Sequence, residues 1–383
     1  MNFEKIANHQ ESAIDRFADL RGCDLSLQDL SMVSADILKT AEFDTTTIWP
    51  KKEKLPAAFN PEKLLLDGQN PGLGIKELHQ QGVDGRGVVV AIIDQGLDTD
   101  HPEYKDSLLD YKTLGNINLE PISMHGPAVA SLLVGKDCGV APGAKLIYRA
   151  SPGGDLSLFA QNLQDLIKTN QSRTDEERIR VVSCSIGYTA GKPGLTEWQE
   201  ALRQAKDNGL IVIDAGGSQI EVNFTGGGSL EDKDDPGSYS AWLYQDAADI
   251  LADNDVAKIL LRLRAERSDL KDVADEDLKT RITALLQERR AQRLKSPEVL
   301  VPSDHRTMAS SWSEKNQYMH QGRGGISWSV PYLAGVFALA LQIKPDLKQA
   351  EISRIIVQTA TINQQGLRII NPQGIIDEVK RLD

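Results

Sequence analysis

Six consecutive apolar residues, Val88 to Ile93, constrain the fold of this 383-residue chain more than any other stretch. A continuous β-branched run of this length is typical of a strand buried on both faces, as in a parallel sheet covered by helices. The run ends at Asp94, and functional groups in open α/β sheets gather at the carboxyl ends of strands. The sequence therefore predicts an α/β fold with a functional edge beside Asp94, although such an acid is about as often a turn or helix cap.

Strand-like and helical segments alternate after this run. Strand-like runs lie at 145–150, 181–187 and 210–213, and helical segments lie at 158–168 and 197–207. Alternation of this kind is typical of βαβ units, in which each helix returns the chain to the start of the next parallel strand. The pattern predicts a doubly wound, mostly parallel sheet with flanking helices.

The charge and composition argue against several classes of function. The formal net charge is −12, whereas proteins that bind nucleic acid need clustered positive charge. The sequence contains no run of about 18 apolar residues, so no membrane span is predicted. The first residues also lack the pattern of a secretory signal. The three cysteines, Cys23, Cys138 and Cys184, are scattered without CxxC spacing, which favours reduced thiols. These features predict a cytoplasmic protein that binds neither nucleic acid nor membrane.

A second stretch places a serine at the start of an apolar helix. Gly325 and Ile326 precede Ser327, and the apolar run 336–341 follows. The glycine restricts the backbone, while the helix dipole and the unpaired first amides favour negative charge nearby. Ser327 is therefore a candidate nucleophile, although a plain helix cap is the commoner role for such a serine.

A histidine occupies a comparable position at another helix start. His125 and Gly126 precede Pro127, and proline suits the first turn of a helix because its missing amide would be unpaired there. His125 therefore projects from the first turn of a helix with an apolar face. A lone histidine is more often structural than catalytic. His125 is therefore a catalytic candidate only in combination with Asp94 and Ser327.

The residues around all three positions resemble the motifs of subtilisin-like serine proteases (subtilases). The segment 90–97, with His101-Pro102-Glu103 behind it, is similar to the family's aspartate motif. His125-Gly126, followed by 139–142, is similar to its histidine motif. The family's serine motif is matched at Gly325, Ser327, Pro331, Ala334 and Gly335. The departures from the family pattern are Pro127-Ala128, Ile326 and Trp328.

The resemblance covers about residues 72–240 and 296–383 and implies a subtilisin-like fold and catalytic triad. The order Asp94, His125, Ser327 is the chain order of the subtilisin triad. Ser327 would attack a peptide carbonyl, His125 would accept and return the proton, and Asp94 would hold the imidazole tautomer. The substrate would be a protein or peptide. No cofactor is predicted, and no metal site, since no acidic cluster has calcium-loop spacing; calcium is suggested by the family alone.

The resemblance also implies substrate-binding segments. Ser185, Ile186 and Gly187 match the strand that pairs with an extended peptide through main-chain hydrogen bonds. Gly154 and Asp155 are candidates for its companion on the other side of the peptide, and the neighbouring Cys184 is expected to be a packing residue.

The segment 214–218 matches the part of the family that carries an asparagine donor to the oxyanion, but Gly217 stands at that position. Loss of one such donor typically costs on the order of a hundred- to a thousand-fold in rate. The Ser327 amide would remain, and Ser218, another backbone amide or a water could replace the missing donor. Gly217 and Ser218 are therefore the candidate oxyanion residues. Asp214, near the expected first specificity pocket, suggests tolerance for a basic side chain, with a structural acid as the alternative.

Three functions stay open on this evidence. The leading prediction is an intracellular serine endopeptidase that is slow or conditionally activated. The alternative is a catalytically impaired subtilase that binds peptide or protein as a regulatory module, which Gly217 favours. An esterase or transferase with the same acyl chemistry is a third alternative.

The chain before the matched motifs forms a predicted N-terminal extension, residues 1–68, ahead of a catalytic domain at 69–383. Asp-Leu recurs every five residues, at 19–20, 24–25 and 29–30, which resembles a short stub of pentapeptide repeats. An irregular helical extension with a chance register is the alternative, because three repeats are few for a solenoid. A pro-segment or an inhibitory arm would occupy this place in the chain.

A helical insertion is predicted at about 244–296, between the oxyanion segment and the serine motif. Its residues 246–293 carry apolar stripes at helical spacing among many charges, which indicates two amphipathic helices. We expect a lid or a docking element for a protein partner, or else a surface decoration without function.

Overall fold

The computed structural model describes most of the chain, namely residues 14–114, 123–152, 155–188, 191–216, 219–241, 273–278, 280–281, 283–284, 298–311 and 314–382. Gly154, Gly217 and Ser218 lie outside these ranges. Most of the insertion 244–296 lies outside them too, so its predicted role as a lid or partner site stays a prediction.

The predicted strand-like runs at 88–93, 145–150 and 210–213 and the predicted helical segments at 158–168 and 197–207 each correspond to an element of the structure. The helices are α1 (Ala35–Lys39), α2 (Pro61–Gly68), α3 (Ile75–Gln80), α4 (His125–Val134), α5 (Leu156–Gln171), α6 (Leu195–Asp207), α7 (Ile326–Ile343), α8 (Gln349–Thr359) and α9 (Pro372–Arg381). The strands are β1 (Phe43–Asp44), β2 (Val89–Asp94), β3 (Leu108–Thr113), β4 (Lys145–Ala150), β5 (Ile179–Cys184), β6 (Ile211–Asp214), β7 (Phe224–Gly227), β8 (Val299–Pro302), β9 (Arg306–Ser310), β10 (Gln317–Gln321), β11 (Thr361–Ile362) and β12 (Arg368–Ile369).

Five parallel strands form the sheet that positions the candidate site. Their order is β3-β4-β2-β5-β6, and each neighbouring pair is parallel. The chain winds from β2 to β3 and β4 on one side and later to β5 and β6 on the other. The winding therefore reverses at β2, and the crevice at such a reversal is where doubly wound folds bind ligands. Asp94 is the last residue of β2.

Helices cover both faces of this sheet, which confirms the predicted doubly wound fold. Alternate residues of β2 contribute to two apolar clusters: Val90 and Ile92 to one, Ala91 and Ile93 to the other. The first cluster contains α4 and α7, and the second contains α5 and α6. By length and composition α7 could cross a membrane, at a mean hydropathy of 1.5, but 78% of it is buried inside the protein. It is the central helix of the core.

The Asp-Leu repeat of the N-terminal extension forms a ladder of similar turns. In each unit the aspartate side chain accepts a hydrogen bond from the backbone amide two residues later. These pairs are Asp19 with Arg21, Asp24 with Ser26, and Asp29 with Ser31, at 2.9 to 3.2 Å. The five-residue period of the sequence is therefore also a period of the backbone, set by the aspartate side chains.

The leucine after each aspartate lies inside the ladder. Leu20, Leu25 and Leu30 are buried in a small apolar cluster. Their amides donate to the carbonyls of a second, parallel run of chain. The acceptors are Glu42 for Leu20, Ile48 for Leu25 and Lys54 for Leu30, at 2.7 to 2.8 Å. Each unit thus contributes one main-chain hydrogen bond and one buried leucine.

Leu25→Ala is expected to lower the free energy of unfolding by about 2–5 kcal/mol, because it opens a cavity in the smallest apolar cluster. Leu27, in the same unit, is 90% exposed whereas Leu25 is 4% exposed. Leu27→Ala is therefore the matched control, with an expected change within about 0.5 kcal/mol. Urea unfolding measures both. Equal effects would contradict the inward orientation of the repeated leucine.

The extension is joined to the rest of the chain by an antiparallel sheet. β1 pairs with β10, with Phe43 opposite His320, and β10 pairs with β9. Phe43 is fully buried, and its ring lies 5.2 Å from the Trp49 ring and 5.3 Å from the His320 ring, between centroids. The boundary near residue 68 stays a prediction, but the two segments fold against each other.

Candidate active site

Asp94 and His125 are in direct contact at the carboxyl edge of the sheet. His125 is the first residue of α4, and its Nδ1 lies 2.6 Å from Asp94 Oδ1. A carboxylate only accepts, so Nδ1 carries the proton and donates it. Nε2 then keeps a lone pair that can take a proton from a nucleophile. Asp94 is buried, and the amide of Gln95 donates to the same carboxylate oxygen at 2.8 Å, which fixes its position.

The same contact sets the proton affinity of the imidazole. Burial opposes the charged form of His125, but the charge of Asp94 and its hydrogen bond outweigh burial, so the pKa of His125 is raised. A base whose pKa lies close to the working pH is suited to proton transfer. His125 therefore has the electrostatic setting of a general base.

Ser327 is the second residue of α7, directly after the N-cap Gly325 and Ile326. In the first turn its amide has no acceptor within the helix, and the positive end of the helix dipole lies beside it. The Ser185 hydroxyl donates to the carbonyl oxygen of Ser327 at 2.8 Å. The segment after β5 is thus hydrogen-bonded to the backbone of Ser327.

Trp328 connects the serine turn to the imidazole. The Trp328 and His125 rings lie 5.0 Å apart between centroids, tilted by 35°, and Trp328 is buried. The hydrogen bonds of the described residues do not include one between the Ser327 hydroxyl and His125 Nε2. In free enzymes such bonds are often long and tighten only with substrate. The structure therefore joins Asp94 to His125 and places the residue next to Ser327 against the same imidazole.

The chain matches the model of the subtilase family over residues 85–375. It belongs to the subtilase family. The match covers most of the chain, and Asp94, His125 and Ser327 lie within it.

This subtilase is similar to two curated relatives over part of its length. It is 27% identical over 154 residues to the Major intracellular serine protease of Bacillus subtilis, covering 37% of this chain and 46% of the relative. It is 24% identical over 318 residues to the Subtilisin-like protease PopC of Myxococcus xanthus, covering 75% of this chain and 58% of the relative. The matches thus span about half the length of these relatives.

Two solved structures share the fold of this subtilase. The Prenylagaramide maturation protease PagA superposes with a TM-score of 0.51 at 16% identity, covering 80% of this chain and 98% of that one. The A-subunit of the AB5 toxin from E. coli superposes with a TM-score of 0.50 at 14% identity, covering 82% and 99%. At these identities the likeness establishes the fold alone.

The predicted substrate-binding strand of the subtilase is shorter than expected. Ser185, Ile186 and Gly187 follow β5, which ends at Cys184, instead of continuing it. The amide of Ile186 donates back to the Cys184 carbonyl at 2.7 Å, so the backbone turns there. The expected strand 181–187 is corrected to 179–184. Cys184 itself is fully buried, as predicted for a packing residue.

Asp155 has a structural role that the family resemblance obscured. Its carboxylate accepts from the Ser157 amide at 2.9 Å and from the Ser157 hydroxyl at 2.7 Å, so it caps α5. An aspartate directly before a helix is a standard N-cap signal, and the sequence carried it. Its predicted substrate-binding role stays a prediction.

Asp214 is a buried acid bonded to a tyrosine. The Tyr188 hydroxyl donates to Asp214 Oδ2 at 3.0 Å, and Asp214 is 1% exposed. This favours the structural alternative over a specificity role. Among the described residues, no group of three or more His, Cys, Asp or Glu side chains is arranged to hold a metal ion.

Proposed function

We propose that this subtilase is a serine endopeptidase whose catalytic residues are Asp94, His125 and Ser327. The observation that carries the proposal is the 2.6 Å contact between His125 Nδ1 and Asp94. It fixes the tautomer in which Nε2 is the basic atom, beside the helix start that presents Ser327.

In the proposed reaction, Ser327 Oγ attacks the peptide carbonyl while His125 Nε2 takes the hydroxyl proton. Asp94 stabilises the imidazolium that forms. The imidazolium then protonates the leaving amine as the C–N bond breaks, which leaves an acyl ester on Ser327. A water that gives its proton to His125 attacks this ester, and the carboxyl product leaves as Ser327 regains its proton.

Turnover is proposed to be slow. The Ser327 amide, in the first turn of α7, supplies one donor to the oxyanion. The asparagine that would supply a second is replaced by Gly217, and one such donor typically contributes on the order of a hundred- to a thousand-fold in rate.

Covalent labelling by a fluorophosphonate tests the nucleophile. The unaltered 383-residue chain is expected to be labelled, and Ser327→Ala is expected to abolish labelling because it removes the hydroxyl that His125 is proposed to activate. Ser172→Ala, at an exposed serine, is the control and should be labelled like the unaltered protein. Labelling that survives Ser327→Ala would refute the assignment.

The alternative, a peptide-binding regulatory module without turnover, is supported by Gly217 alone. It predicts no labelling of the unaltered chain, together with peptide binding that Ser327→Ala leaves unchanged. Calorimetric titration with a peptide library, run beside the labelling, distinguishes the two functions. Product analysis with the same library separates a peptidase from an esterase or transferase.

Labelling of Ser327 is expected to rise with pH and to reach half its maximum above about pH 6.5, the usual pKa of histidine. Only the neutral imidazole accepts the serine proton, and Asp94 raises the pKa of His125, so the base becomes active at higher pH than an exposed histidine would. Labelling rates measured across the titration of histidine give the midpoint. A midpoint below that of an exposed histidine would contradict this electrostatic account.

A cytoplasmic location is also proposed. The three cysteines are free, and Cys138 and Cys184 are buried, which suits a reducing compartment. The similarity to a protease named as intracellular supports the same location. Fractionation of cells that produce the protein tests it.

A further inference from the structure

A chain of side-chain contacts leads from the N-terminal extension to the candidate catalytic imidazole. Gln321 Nε2 donates to Glu42 Oε1 at 3.0 Å, and Trp328 Nε1 donates to Gln321 Oε1. The Trp328 ring in turn lies 5.0 Å from the His125 ring. Glu42, Gln321 and Trp328 are together called the indole relay.

The chemistry of its two ends fixes the orientation of the Gln321 amide. An indole N–H can only donate, and an ionised carboxylate can only accept. Gln321 must therefore turn its oxygen toward Trp328 and its amino group toward Glu42. A flipped amide would lose both hydrogen bonds at once, so the relay has one arrangement.

Glu42 is held in place by the ladder of the extension. Its amide donates to the Ala18 carbonyl at 2.9 Å, and its carbonyl accepts from the Leu20 amide at 2.7 Å. Its other carboxylate oxygen lies 3.8 Å from Arg21 Nη2. The Glu42 carboxylate that accepts from Gln321 therefore projects from a residue whose own backbone N–H and C=O are both hydrogen-bonded.

The extension also contacts the backbone that leads from β10 to Ser327. A Cβ at Gly322 would collide with the Thr40 carbonyl oxygen, so the two backbones pass in close contact. The Arg323 guanidinium lies 5.3 Å from the centroid of the Phe17 ring. The extension thus contacts two residues just before the serine turn, Gly322 and Arg323.

We propose that the N-terminal extension is a positioning element of the active site, in which the indole relay holds Trp328 against His125. The catalytic consequence rests on the proposed peptidase function, whereas the orientation of the rings does not. Hydrogen bonds and ring contacts of residues 14–68 reach β10 and the neighbouring Arg323. Through these contacts the described part of the extension supports the backbone that leads to the serine turn.

An exchange of the side chains at positions 42 and 321 tests the relay. Gln321→Glu keeps an acceptor for Trp328 but sets two carboxylates against each other, so labelling of Ser327 by a fluorophosphonate should slow by about ten- to a hundred-fold. Adding Glu42→Gln should restore the rate, because the new amide can donate to the new carboxylate. Glu42→Gln alone should change it by less than about twofold, since an amide oxygen still accepts.

Gln28→Glu is the matched control, because it makes the same charge change at an exposed residue of the extension. It should leave the labelling rate unchanged. Circular dichroism establishes that each variant is folded.

A second measurement does not require activity. In ¹⁵N NMR spectra the indole N–H of Trp328, assigned with Trp328→Phe, should shift as His125 titrates, because the two rings are in contact. This response should weaken in Gln321→Glu and return in the double variant. The expected pattern without any labelling would uphold the relay and refute the peptidase proposal.

Three results, the second and third alternatives of one experiment, would overturn the relay itself. One is an indole N–H resonance of Trp328 whose chemical shift, in the unaltered protein, does not change as His125 titrates. The others are a folded Gln321→Glu variant whose spectrum and labelling rate match those of the unaltered protein, and a folded double variant that restores neither.

Discussion

Asp94→Asn is expected to lower the labelling rate of Ser327 by about 10⁴-fold, the loss seen when a triad carboxylate becomes an amide. An asparagine amide can donate to Nδ1, which places the imidazole proton on Nε2, the atom that must accept from Ser327. The fold should survive, because the side chain keeps its shape in its buried position. Labelling rates of the folded variant measure the effect.

The same variant should also shift the pH dependence. Without the charge of Asp94, burial alone acts on His125, so its pKa should fall and the midpoint of labelling should move to lower pH. Gln95→Glu, an acid placed beside the site without replacing Asp94, is the comparison for a general charge effect. A rate within about tenfold of the unaltered protein would show that the contact between Asp94 and His125 is structural only.

Phe43→Ala is expected to lower the free energy of unfolding by about 3–5 kcal/mol, a large fraction of the total stability of a typical domain. Phe43 is fully buried between Trp49 and His320, where the extension meets β10. Leu66→Ala, at a residue 67% exposed within the extension, is the control and should have little effect. Urea unfolding compares the two.

Removal of residues 1–68 should also lower the free energy of unfolding, and by more than Phe43→Ala does. It would expose the edge of β10 and its apolar partners, so we expect loss of folded, labelled protein instead of activation. A pro-segment or an inhibitory arm predicts the opposite result, a truncated protein that is labelled faster. Faster labelling would therefore contradict both the stability argument and the indole relay.

Local patterns predicted the elements that carry the candidate triad. The apolar run at 88–93 became β2, which ends at Asp94, and His125 and Ser327 each lie in the first turn of a helix. These features depend on short-range rules: the burial pattern of a parallel strand, proline in a first helical turn, and glycine before a helix. Such rules act within a few residues and can be applied to sequence alone.

Other parts of the site had no local signal. Trp328 was only a departure from the family pattern, and nothing near it indicates that its indole donates to Gln321. Glu42 and Gln321 are 279 residues apart in the chain. Their contact exists only because β1 pairs with β10, and a strand of two residues is too short for its pairing to be predicted from its sequence.

The sequence by itself therefore determined the buried strand that ends at Asp94, the helix starts at His125 and Ser327, and the five-residue period of the extension. Each follows from steric and hydrogen-bonding preferences of neighbouring residues. Only the tertiary structure decided that the extension packs beside the serine turn, and that an indole lies against the candidate catalytic imidazole. Contacts between distant segments depend on which apolar surfaces bury each other, and that is settled when the whole core assembles.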